Sequence, residues 1–179
     1  GIIREDDIYK WIISPEGKTA TKYQAQPLDF AKELQRISKR YAELVVATEL
    51  VKDGGDYPKT TNIGFVNKYK SRQHLILLLA LDVTTDKATL EYLAQQIESF
   101  FFFSNTMGIQ AKNNEGLFAK WAKELRGKKS IEEVKDIVST TLMPYIAAKV
   151  PQFKSDFLNI THGAYNPLYR LRYILGKME

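Results

Sequence analysis

The 179 residues suffice for one domain or two small ones, and a chain that is 44% apolar and 26% charged is neither disordered nor fibrous but globular. With no cysteine, disulfides, thiolate metal sites and a cysteine nucleophile are excluded together, and a reducing, cytoplasmic compartment is expected. The formal charge of +5 is uneven, gathering in residues 57–72, in residues 112–129 and in the last thirteen residues, so an anionic partner is one reading and a solvated basic surface the other.

The opening Gly1-Ile2-Ile3-Arg4 has no initiator Met and no signal-peptide pattern, and is read as a cut within a longer polypeptide. Ile8, Trp11 and Ile12 predict a short amphipathic helix, closed by a turn at Ser14-Pro15-Glu16-Gly17 in which Gly tolerates a positive φ. A polar segment from Lys18 to Pro27 follows, so residues 1–26 are taken as a short helix plus linker and residues 27–179 as one helical domain. Phe30, Leu34, Ile37, Tyr41 and Leu44 recur at spacings of three and four, which predicts a long helix ending at Gly54-Gly55. Lys32, Arg36, Lys39 and Arg40 lie opposite that face. Asp29 and Glu43 interleave with them at ion-pair spacing, so a solvated face is preferred to a phosphate-tracking ridge.

Beyond Tyr57-Pro58, Ile63, Phe65, Val66 and Tyr69 pattern as a short helix. Gln73 to Leu81 forms another, apolar nearly all round and therefore central; its apolar run is far shorter than the roughly 20 residues a membrane span needs. Thr84 to Asp86 can cap a helix carrying Leu90, Leu93, Ile97 and Phe100 to Phe103. The phenylalanines are read as core, with a bare docking patch as the alternative. Asn113/Asn114 is the expected N-cap of a helix through Phe118, Trp121 and Leu125, with Gly127 just past its end. Ser130-Ile131-Glu132-Glu133 matches a capping box opening a helix through Val134 and Val138 that Pro144 stops or kinks. Phe153, Phe157 and Ile160 suggest a short helix, and Asn166-Pro167 starts a last one through Met178. With no segment of sustained period two and no internal repeat, the expected fold is all-α: an irregular bundle of about eight helices without a sheet.

Chemistry is sparse. His74 and His162 are the only histidines and neither belongs to a metal-ligand spacing, so both are read as structural. The scattered glycines form no phosphate-cradling loop. Glu132, Glu133 and Asp136 sit where acids offset a helix dipole, and Glu98, a half-buried acid by its position, has no identified partner to share acid and base roles. The chain is expected to be no enzyme, to carry no metal or cofactor, and to act by binding. Basic residues interleaved with aromatics are the candidates for nucleic-acid contact: Lys68, Lys70 and Arg72, then Lys120, Lys123, Lys128 and Lys129, then Arg170 and Arg172. Tyr69 and Trp121 fall on apolar stripes and are expected to be buried.

The stretch from Tyr57 to Asp82, with Lys70-Ser71-Arg72-Gln73-His74 leading into Leu75 to Leu81, resembles the helical middle region of the GmrSD-type modification-dependent restriction family. Phe100 to Asn105 with Leu117-Phe118-Ala119, and the ending Tyr169-Arg170-Leu171-Arg172-Tyr173-Ile174-Leu175, are similar to it as well. The family joins a ParB/sulfiredoxin-like nucleotide-dependent domain to a His-Asn-His nuclease and cuts modified foreign DNA. The Asp-Gly-Gln-Gln-Arg signature and the His-Asn-His set are both absent from this sequence, so no catalytic residue carries over. The resemblance implies a bacterial connector domain whose partners are flanking catalytic domains of the same polypeptide and double-stranded DNA, with self-association open and no membrane. The alternative is an interaction module that docks a helper subunit through an apolar face.

Overall fold

The computed structural model describes residue 3 and residues 5–48 and 73–161, in which nine α-helices and two short 3-10 turns occur and no strand. The expected helices around 63–69 and 166–178, and the stop at Gly54-Gly55, lie outside the described residues.

A 3-10 turn (Glu5–Asp7) leads into α1 (Ile8–Ile13). Where the sequence suggested a turn and a polar linker, the chain instead starts a second helix, α2 (Pro15–Thr21). The physical reason is local: the Ser14 hydroxyl accepts from Gly17 N–H and Pro15 supplies a preset φ at the first helical position. Gly17 is needed for closeness, not for a positive φ. A Cβ there would stand 1.9 Å from the Trp11 carbonyl oxygen. The left-handed residue is Lys22, at φ 52°, which ends α2.

α3 (Pro27–Thr48) is the longest helix and packs on α4 (Gln73–Ala80), whose His74, Leu75, Leu77 and Leu78 are all buried. α5 (Lys87–Thr106) starts at Asp86, whose carboxylate accepts from Thr89 N–H at 2.7 Å, and is the hub against which α4, α7, α8 and α9 pack. After a 3-10 turn (Ala111–Asn114) come α6 (Glu115–Leu125), α7 (Ile131–Thr140), α8 (Leu142–Ala147) and α9 (Val150–Leu158). The capping box forms as expected: the Ser130 hydroxyl accepts from Glu133 N–H while the Glu133 carboxylate accepts from Ser130 N–H. Pro144 lies in the first turn of α8, so the break falls before it, at Thr141. Pro151 likewise opens α9, in the first turn where a missing N–H costs nothing.

Asn114 occupies the N-cap position of α6, as expected, but its side chain makes no capping hydrogen bond. It is buried, and its side-chain oxygen accepts from the Tyr145 hydroxyl at 3.4 Å. The tie joins two segments 31 residues apart, a requirement that local sequence does not display.

One apolar cluster holds the molecule together, drawing Leu44 from α3, Leu77 and Leu78 from α4, Leu93 and Ile97 from α5, Phe118 and Trp121 from α6, and Val134 and Val138 from α7. Each such side chain contributes about 1.5–3 kcal/mol when fully buried. The phenylalanine run divides between two environments. The Phe100 ring stands edge-on to Phe118 and to Trp121, each at 5.4 Å, whereas Phe102 faces Phe153 at 5.8 Å and Phe103 stacks on Phe153 at 4.1 Å. Core packing on two sides thus accounts for four consecutive rings, and no bare patch exists there.

Candidate functional site

The ends of α4 and α6 are clipped together by backbone. Gly127, at φ +73°, donates its N–H to Ala80 O at 2.9 Å, and Asp82 N–H donates to Lys128 O at 2.8 Å. Only a residue that tolerates the left-handed region turns the chain sharply enough here. The clip fixes the basic stretch after α6 against the loop that follows α4.

Of the nine expected nucleic-acid contacts, four fall in the described residues. Lys120 and Lys123 lie exposed on α6, and Lys129 is exposed on the clip. Lys128 is half-buried and its Nζ stands 3.4 Å from Glu133 Oε1, so part of its charge is spent inside the protein. Glu133 is held to about 2 by hydrogen bonds from the Ser130 and Lys129 N–H groups, then by the Ser130 hydroxyl and Lys128. Lys68, Lys70, Arg72, Arg170 and Arg172 lie outside the described residues. Arg126, omitted from the expected contacts, is exposed at the end of α6 between Lys123 and Lys128. Its signal was the charge excess of residues 112–129, which it shares. Lys120, Lys123 and Arg126 take part in no ion pair among the described residues.

Arg126 also borders a half-open groove of about 920 Å³ between α3 and the α4–α6 pair. Phe30, Leu34 and Ile37 of α3 form one wall, and Ile76 and Leu79 of α4 the floor. Leu34, Ile37 and Ile76 are 49%, 40% and 48% exposed, so the regular apolar stripe of α3 is not consumed by the core as its spacing suggested; only Leu44 is. At the rim Arg36 donates two hydrogen bonds to Glu33, at 2.7 and 2.9 Å. The ion pair on this face is thus made by Glu33, and neither Asp29 nor Glu43 takes part in one among the described residues. Asp82 is held below the usual carboxylate range by the Thr84 N–H and hydroxyl, with smaller help from the charges of Arg36 and Lys129.

His74 is fully buried, its ring edge-on to Phe101 at 6.5 Å, and His162 lies outside the described residues. Glu98 is 2% exposed and so lies deeper than the half-buried position expected of it. Trp121 is buried, as its stripe predicted. Among the described residues no group of three or more His, Asp or Glu side chains could hold a metal ion, and no helix is long and apolar enough to cross a membrane. What this surface offers chemically is cations on long flexible stems, suited to phosphate oxygens, beside an apolar groove suited to side chains.

No family model, no curated protein and no solved structure matches the chain.

Proposed function

We propose that this chain is a non-catalytic helical connector of a bacterial restriction-type DNA nuclease, holding flanking catalytic domains in register and contacting DNA phosphates through its basic surface. The observation that carries the reading is the run Lys120, Lys123, Arg126 and Lys129: four exposed cations on the last turns of α6 and the clip, none of them in an ion pair among the described residues. Because these lie at the C-terminal end of a helix, whose dipole repels anions, phosphate would be met by side chains alone. Such contacts are sequence-independent and strongly salt-dependent. Support for the connector part comes from the likeness of Tyr57–Asp82, Phe100–Asn105 and Tyr169–Leu175 to the GmrSD-type middle region, and from the clip, which ties the basic stretch rigidly to the core.

Fluorescence anisotropy with a 30-base-pair duplex at low salt tests the DNA contact. Saturable binding indifferent to sequence is expected, and absence of binding at low salt removes DNA from the proposal. A second reading, docking of a helper protein, keeps one specific support: the apolar residues left exposed on α3.

A further inference from the structure

The stripe on α3 has a stricter form than amphipathicity requires. Phe30, Leu34, Ile37, Tyr41 and Leu44 alternate at four and three, the heptad spacing of helices that pair along their length, and α3 at 22 residues is long enough to do so. Within its own chain α3 buries only Leu44 of this set; Leu34, Ile37 and Tyr41 are 49%, 40% and 38% exposed, and Phe30 is half-buried against Tyr23. The positions flanking the stripe are informative. On one side stand Ala31 and Ser38, both small and exposed; on the other stand Glu33 and Arg40, the latter at the edge of the apolar stripe and not opposite it as expected.

We propose that α3 pairs antiparallel with α3 of a second copy of this chain, each helix lying along the other copy's groove over Ile76 and Leu79. In an antiparallel pair the layers are Phe30 against Tyr41 of the second copy and Leu34 against Ile37, each occurring twice by symmetry. That register sets Glu33 opposite Arg40 of the second copy, again twice, and sets Ala31 opposite Ser38, where small side chains let the backbones approach. Sliding by one heptad in either direction brings Glu33 against Glu33 or Arg40 against Arg40. A parallel pair instead faces Glu33 with the uncharged Ser38. Charge complementarity therefore selects one orientation and one register, and it does so for a copy of the same sequence. Arg40 takes part in no ion pair among the described residues; it is half-buried, with its Nη2 enclosed by its own chain and no hydrogen-bond partner there. The pairing does not depend on the DNA reading, and neither result decides the other.

The test is sedimentation equilibrium of the full 179-residue chain over a range of concentrations, with circular dichroism to confirm that each variant is folded. A monomer–dimer equilibrium is expected. Glu33→Arg and Arg40→Glu each replace two attractive contacts by two repulsive ones and should weaken dimerisation by about tenfold or more. The double variant E33R/R40E restores complementarity and should return to within about threefold of the native constant. It still lacks the Glu33–Arg36 bond within the helix, so recovery reports contacts between copies alone. A chain that stays monomeric at every concentration overturns the proposal. So does association indifferent to the single reversals, or a double variant as weak as either single one.

Discussion

Glu133 accepts from two backbone amides and a hydroxyl while lying against Lys128, and its pKa of about 2 is the sum of those contacts. Since the folded value lies below the ordinary 4.5, the carboxylate's contribution to stability is complete above that pH and is lost as pH falls toward about 2. Glu133→Gln should therefore be less stable than the native chain at neutral pH, and the gap should close on acidification through that window; chemical denaturation at a series of pH values measures it. Ser130→Ala, which removes the other half of the box, should cost about 1 kcal/mol. At Gly17 the constraint is space. Gly17→Ala drives a methyl into the Trp11 carbonyl, so amide-exchange protection across residues 8–21 should collapse while that of α4 and α5 is kept. The contrast between the two positions shows what was legible. The Ser130 box was readable because all its partners lie within four residues. Ser14-Pro15 carries turn signals and helix-start signals at once, and Asn114 answers to a tyrosine 31 residues away.

At the scale of elements, α5 divides the molecule into a part packed around Phe100 and a part packed around Phe102. Phe100 is fully buried among Phe118, Trp121 and Tyr145, and Phe100→Ala should cost about 3–5 kcal/mol in urea denaturation. Phe102 is half-buried and lies against the α9 rings of Phe153 and Phe157. Phe102→Ala should cost distinctly less, with exchange protection lost selectively in α9. Periodicity was sufficient to place α4 and α5 at the centre, because their apolar positions exceed what a surface helix can show. It overstated the burial of α3. A stripe at spacings of three and four says that a face seeks apolar company, without saying whether that company belongs to the same chain.

For the whole molecule, the basic surface and the groove arise from the backbone clip that joins Ala80 to Gly127 and Asp82 to Lys128. Neither was legible in the sequence as a place, although each contributing residue was visible as a charge or an apolar position. Lys128 illustrates the limit: its charge counted toward the patch, but its pairing with Glu133 follows from the capping box. Asp82 illustrates it again, since it is set beside Arg36 and Lys129 only when α3, α4 and the end of α6 come together. The claim that this surface meets phosphate is best tested by the salt dependence of duplex binding. For the native chain and for Lys123→Ala and Lys129→Ala, the slope of the logarithm of affinity against the logarithm of salt concentration should become shallower by about 0.9 for each contact removed. Slopes identical to that of the native chain would contradict the account.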